Sequence, residues 1–345
     1  HHAGYEEGLT RLAAGIKSTG ARAAIQLFHP GRQMHPKYTG NSLVAPSAIP
    51  CPVMKAVPSV LSGAEIRQLI ADFVAGAVRA KQVGFDAVEI HAAHGYLGAQ
   101  FLSPLSNHRT DAYGGSSERR ARFVLEIGSG IREAVGDAFP VLLRFSADEK
   151  LEGGLTLDAA RRLVPLFERA GFSALHVSAG CYSSMEWIVQ PYLQAHACLG
   201  DLARAIRQES DLPVIAVGRI VDLDTAERLL QDGSADLVSM GRALIADPDL
   251  PRKAAEKNAS AIRPCLGCNV CIQFVGVKQT RCAVNPEMGQ ETTRPPDPEL
   301  SHIVVIGGGP AGLEAALAAA DRGRQVTLLE RESTLGGQLK LAAGF

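Results

Sequence analysis

The sequence predicts an α/β protein: a TIM (β/α)8 barrel, a cysteine-rich segment behind it, and the start of a Rossmann-like domain. Three observations carry that expectation. From Tyr5 to Leu250, short apolar runs rich in Val, Ile and Leu alternate with amphipathic helical stretches. Glycines and polar residues gather just after each apolar run, where a TIM barrel keeps its chemistry. Where the rhythm breaks, four cysteines precede a glycine-rich turn.

The elements follow in order. A helix is expected over Tyr5–Thr19. Strands are expected at Ala23–Phe28, Ala87–Ala92, Val141–Ser146, Ala174–Ala179, Pro213–Gly218 and Leu237–Gly241. Helices are expected at Glu65–Val83, Ser117–Val135, Leu157–Ala170, Leu199–Glu209 and Leu223–Asp232. Strands apolar on both faces that alternate with helices imply a parallel sheet. The strand ends carry His29-Pro30-Gly31-Arg32, His94-Gly95-Tyr96, Asp148, Gly180, Gly218-Arg219 and Gly241-Arg242. An eight-stranded barrel needs two further strands, expected on the amino-terminal side, so the sequence reads as a piece of a longer protein. The barrel is assigned to 1–254, the cysteine segment to 255–291, a proline-rich linker to 292–300 and the second domain to 301–345.

In the second domain, HIVVIGGGPAGLEAALAAADRGRQVTLLERE reads as strand, glycine turn, helix, strand. Gly307, Gly309 and Gly312 form G-x-G-x-x-G, and Glu330 ends the next strand, where an acid meets a ribose hydroxyl. Such a turn lets a pyrophosphate approach the helix start, so a dinucleotide site is predicted.

The formal net charge is −1 and there is no basic block, which argues against a nucleic-acid partner. No run of eighteen apolar residues and no signal-peptide pattern occurs, so neither a membrane span nor export is expected. Cys51, Cys181 and Cys198 are isolated; Cys265, Cys268, Cys271 and Cys282 cluster. That usage is cytosolic, and a cytoplasmic location is expected. Four neighbouring thiolates need a common partner. Zinc would take four sulfurs, but zinc ribbons more often show two separated C-x2-C pairs. The run C-x2-C-x2-C with a remote fourth cysteine is nearer to iron–sulfur spacing.

The richest stretch is GFDAVEIHAAHGYLGAQFLSPLSNHRTDAYGGSSERRAR. His91 and His94 can both donate to one oxygen, and Tyr96 can deliver a proton nearby. Two donors polarising a carbonyl beside a phenol suit reduction of a conjugated carbonyl compound. A zinc site at the two histidines lacks a third ligand. Asn107, Arg109, Asp111 and Arg122 read as a loop-locking network.

This stretch, with Gln26-Leu27-Phe28-His29-Pro30-Gly31-Arg32, closely resembles the old yellow enzyme family of flavin oxidoreductases over about Tyr5–Ala254. The cysteine segment and glycine fold resemble its multidomain branch: 2,4-dienoyl-CoA reductase, 2-enoate reductase and trimethylamine dehydrogenase. The resemblance implies FMN in the barrel, a [4Fe-4S] cluster on the four cysteines, FAD in the second domain and NAD(P)H as reductant. It implies Gln26 at the flavin pyrimidine edge and Arg144 near N1 and O2. Gly218, Arg219, Gly241 and Arg242 would hold the FMN phosphate. His91 and His94 would hold the substrate oxygen, and Tyr96 would be the proton donor. At the position after the sixth strand where the dienoyl reductase has a histidine, this chain has Tyr182, preceded by Cys181; His176 lies within the strand. The expected activity is NAD(P)H-dependent reduction of the C=C bond of an enone, 2-enoate or enoyl-CoA ester. Two alternatives stand beside it: an amine dehydrogenase of the trimethylamine dehydrogenase type, and a zinc-stabilised nucleotide-binding regulator with an inactive barrel. The oligomeric state is not predicted.

Overall fold

The computed structural model describes residues 3–34, 42–273, 279–289, 291 and 302–342; the expected linker 292–300 lies outside them. The chain divides into two compact units, His1–Met288 and Gly289–Phe345. The first unit contains both the expected barrel and the four cysteines.

In that unit the strands are β1 (Ala24–Leu27), a short pair β2 (Val44–Ala45) and β3 (Ser59–Val60), then β4 (Ala87–Ala92), β5 (Val141–Asp148), β6 (Ala174–Ala179), β7 (Val214–Ala216) and β8 (Leu237–Val238). Six of them form one parallel sheet in the order β1-β4-β5-β6-β7-β8. Neighbours in the chain are thus neighbours in the sheet. Helices connect the consecutive parallel strands, connections that as a rule are right-handed, and the twisted sheet curls as part of a barrel. All carboxyl ends lie on one rim.

The helices start where their caps put them. Ser62 and Glu65 form a reciprocal capping box for Gly63–Gln82. Ser116, Thr156 and Asp222 accept a backbone N–H at the starts of Ser117–Val135, Leu157–Arg169 and Leu223–Gln231. Each such cap stabilises by about 1 kcal/mol.

The core lies between the sheet and these helices. Val88, Ile90 and Ala92 alternate along β4 and join Ile66, Phe73 and Ala77 of the helix Gly63–Gln82 in one buried cluster. Phe101 stacks on Phe123 with centroids 4.3 Å apart, and Phe145 meets Phe167 at 5.3 Å. Burying one such ring contributes about 2–3 kcal/mol.

The opposite face departs from expectation. It was predicted to be apolar, yet Gln26, Glu89, His91, Arg144 and His176 occupy it. Register sets Gln26 beside Glu89, and His91, Arg144 and His176 in a row across three strands. A face lined this way is shaped for a polar occupant rather than for hydrocarbon packing.

The second unit pairs β9 (His302–Ile306) in parallel with β10 (Gln325–Leu329), with the helix Pro310–Ala320 between them. Among the described residues no helix is long and apolar enough to cross a membrane.

Candidate functional site

The carboxyl end of β4 turns sharply into the short helix Leu97–Leu102. His94 and Gly95 both take positive φ, 61° and 75°. Gly95 also has no room for a side chain, since an added Cβ would lie 2.3 Å from Gln33 Oε1. Gln33 Nε2 donates to His94 O at 2.9 Å, and His94 N donates to Ser146 Oγ at 3.0 Å. These bonds tie the turn to the loop after β1 and to β5.

The turn brings the three predicted catalytic side chains together. The His91 ring lies 5.0 Å from His94 and 4.9 Å from Tyr96, edge to face in both cases. Phe28 backs Tyr96 at 5.2 Å, and the Tyr96 and Tyr182 hydroxyl oxygens are 3.3 Å apart. His91 Nδ1 accepts from Ala93 N at 3.2 Å, which leaves the proton of the neutral ring on Nε2. His94 Nε2 is bonded to Ser178 Oγ at 2.7 Å. The two histidines are therefore not equivalent: His91 has a free donor, whereas His94 is committed through Nε2 and keeps only Nδ1. Burial, reinforced by Arg144, drives His91 down to about 3 and His94 well below the ordinary value. Both rings are neutral at neutral pH.

One level deeper, Glu89 joins two strands. Its Oε2 meets His176 Nδ1 at 2.8 Å and its Oε1 accepts from Gln26 Nε2 at 2.5 Å. Burial alone would raise its carboxyl, but His176, Gln26 and Arg144 hold it below the usual range. Arg144 Nε, His176 Nε2 and Arg219 Nε are buried without a hydrogen-bond partner. Leaving a buried donor unpaired costs about 1–3 kcal/mol, so such atoms mark a place for a polar ligand. Arg144 and Gln26 on the polar face, with Arg219 at the rim, fit a flavin. Gly218 has φ 113° and Arg219 φ 50°, with Arg219 Nη1 donating to Tyr192 O at 2.6 Å. A Cβ on Gly241 would meet nothing within 4 Å.

Arg242, the last of the residues expected at the FMN phosphate, opens the short helix after β8. Its Nη1 donates to Gln190 O at 2.6 Å and to Asn269 Oδ1 at 2.5 Å. The residue lines one pocket with Cys265, Cys268, Cys271 and Cys282. The segment is fastened to the barrel around this point. Asn269 Nδ2 donates to Val189 O at 3.2 Å, Asn285 Nδ2 to Ile245 O at 2.9 Å, and Arg263 N to Asp247 Oδ2 at 2.8 Å. Gly267, at φ 69°, lets the loop pass close to Tyr192 and Arg219. Among the described residues no three His, Cys, Asp or Glu side chains converge closely enough to hold one metal ion. Four thiols round one pocket are the donor set that an iron–sulfur group would take. Sequence reasoning missed Glu89, Ser178, Asn269 and Asn285. The one signal for Glu89 was a carboxylate in the middle of an apolar strand.

In the second unit Gly307 has φ 104°, and a Cβ on Gly312 would lie 1.8 Å from Gly307 O, so helix and turn touch. Gly309 is the cap residue of the helix Pro310–Ala320. Gly308 N donates to Glu330 Oε2 at 2.6 Å and Glu332 N to Oε1 at 2.9 Å. The acid thus stands at the glycine turn with lone pairs still available.

Comparison with known proteins agrees with this arrangement. Residues 1–260 match the NADH:flavin oxidoreductase / NADH oxidase family, and residues 302–344 match FAD dependent oxidoreductases. The NADH oxidase of Thermoanaerobacter brockii is 45% identical over 98% of this chain and 53% of its own length. The structure of 2-naphthoyl-CoA reductase with 2-naphthoyl-CoA superposes with a TM-score of 0.92 at 32% identity, over 99% of this chain and 55% of that one. Histamine dehydrogenase from Rhizobium sp. 4-9 gives 0.89 at 35%, over 97% of this chain and 50% of that one. The chain thus spans about half the length of these relatives. The barrel match, the glycine-fold match and the shared order of the two along the chain make it a member of the NADH:flavin oxidoreductase / NADH oxidase family, in the multidomain branch of the old yellow enzymes.

Proposed function

We propose that the protein is a flavin- and NAD(P)H-dependent ene reductase acting on the C=C bond of an α,β-unsaturated carbonyl compound, a 2-enoate or an enoyl-CoA ester. The observation that carries this is the pairing of an uncommitted His91 Nε2 donor with the Tyr96 hydroxyl at one strand end, beside the unpaired Nε of Arg144. Gln26, Arg144, Gly218, Arg219, Gly241 and Arg242 would hold FMN. The four cysteines would hold a [4Fe-4S] cluster, and Gly307, Gly309, Gly312 and Glu330 would hold FAD or the nicotinamide nucleotide. Bound, these groups supply hydride and single-electron chemistry.

The chain's own residues supply the rest. His91 donates to the substrate carbonyl oxygen and draws charge away from the double bond. His94 keeps the turn in shape through Ser178 and can add its Nδ1. Tyr96 protonates the α carbon, with Tyr182 as its nearest hydroxyl for replenishing that proton. General acid catalysis of this kind contributes about 10²–10⁴-fold.

The test is an anaerobic stopped-flow comparison on the full-length protein, offering enones, enoates and enoyl-CoA esters against methylated amines. Tyr96→Phe is expected to slow substrate reduction about 100-fold or more while flavin reduction by NAD(P)H proceeds at its normal rate. Equal loss of both steps would refute the proton-donor role. A second reading, amine oxidation, is supported by the aromatic group of Phe28, Tyr96 and Tyr182, which could face an ammonium. Flavin reduction by a methylated amine would select it.

A further inference from the structure

Glu89 stands in the middle of β4, on the polar face of the sheet. Register makes Gln26 its partner on β1, and His176 reaches it from β6, across β5. The Glu89 side chain is 13% exposed and that of His176 6%. Both carboxylate oxygens are engaged. Oε1 accepts from Gln26 Nε2 at 2.5 Å, and Oε2 meets His176 Nδ1 at 2.8 Å. Burial pushes this carboxyl up, yet the bonds from His176 and Gln26 and the charge of Arg144 hold it below the usual range, so it is ionised at neutral pH. An ionised carboxylate only accepts. Which way round an amide lies is decided by its hydrogen-bond partners, and here the partner leaves one choice. Gln26 must turn its NH2 end to Glu89, and the other end of the planar amide carries Oε1.

We propose that Glu89 is a positioning residue that fixes the polarity of the Gln26 amide, so that Gln26 offers its carbonyl oxygen to N3–H of the flavin ring. This rests on the reading that FMN lies with its pyrimidine edge at Gln26. That edge is mixed: N3–H donates, whereas O2 and O4 accept. An amide of either polarity finds a partner on it, but only an amide presenting Oε1 satisfies N3–H. Glu89 acts through Gln26, and His176, by holding the second carboxylate oxygen, keeps Glu89 from turning away. The consequence is selectivity for a ring that carries hydrogen at N3.

The experiment is equilibrium dialysis of the full-length protein, freed of FMN, against FMN and against 3-methyl-FMN, with circular dichroism recorded on every sample. Wild type is expected to bind FMN about tenfold more tightly than 3-methyl-FMN, the worth of one hydrogen bond. Glu89→Gln keeps the shape, but its amide can give or accept, so Gln26 is free to lie either way. In that variant the preference is expected to shrink to about threefold or less. A merely structural role would weaken both flavins alike and leave the ratio where it was. An unchanged ratio in folded Glu89→Gln protein therefore overturns the proposal, as does equal binding of the two flavins by wild type. Where Glu89→Gln does not fold, Gln26→Leu decides, since Gln26 is exposed and tolerates the change. A lost preference there supports the proposal, and a wild-type preference overturns it. Wild-type protein that binds neither flavin would instead defeat the FMN reading itself.

Discussion

At the scale of single residues, the buried histidines make the strongest claim. His91 titrates at about 3 and His94 lies well below its usual range because burial, aided by Arg144, excludes a second positive charge. In the unfolded chain both take up a proton near pH 6.5. Between that value and about 3 the unfolded chain binds more protons than the folded one, so stability is full above pH 6.5 and falls as the pH is lowered. For His91 the slope over that window is about 1.4 kcal/mol per pH unit, and His94 acts in the same direction. Urea midpoints measured from pH 7 to pH 4.5 are expected to drop, and His91→Gln is expected to flatten part of that dependence; an identical slope in the variant would contradict it. The His91, His94 and Tyr96 grouping was legible because one stretch of six residues builds it. The Glu89 and His176 pair was not, because 87 residues separate its members and only strand register brings them together. The contacts of Arg242 to Gln190 and Asn269 were hidden for a similar reason: both partners come from distant loops.

Secondary elements tell where local pattern suffices. The helices Ser117–Val135 and Leu157–Arg169 start where the sequence places them, because Ser116 and Thr156 cap them. The periodicity located the strands but gave the wrong account of one face, since an apolar run of six residues hides a single Glu or His. The helix Leu97–Leu102 carries a sharper constraint. A Cβ on Gly98 would lie 2.8 Å from Ala92 Cβ and 2.9 Å from Ala92 Cα, both part of β4. Gly98→Ala must push the helix off the strand, at an expected cost of about 1–3 kcal/mol. Because Tyr96 caps that helix, substrate reduction should fall with it, and a thermal melt beside the stopped-flow assay checks both. The cysteine segment hangs on the helix Arg242–Ala246 and on buried Asp247. Asp247 receives Lys253 Nζ at 2.6 Å and Arg263 N at 2.8 Å. Asp247→Asn should lower stability by about 2 kcal/mol, judged from the loss of charge-assisted bonds, and, under the proposed function, should loosen the iron held by the cysteines. Iron retention on a desalting column is the measurement.

At the scale of the whole sheet, the two ends do not meet among the described residues: β1 and β8 each pair there on one side only. An unpaired strand edge is a template for another chain. These 345 residues expressed by themselves are expected to associate with rising concentration, seen as increasing scattering mass; a constant monomer mass would show the edge to be blunted. The parallel order of the strands has one more consequence. His91 and Tyr96 stand at the end of β4, whereas Arg242 and the cysteines stand beyond β8, four places along the sheet, roughly 19 Å at the usual strand spacing. Under the proposed function, the molecule has one doorway for fuel and another for cargo. A compound wedged between His91 and Tyr182 blocks delivery but leaves loading open, so the protein fills with electrons and waits. Its kinetics would be those of a rechargeable store, in which the order of arrival of the two reactants does not matter.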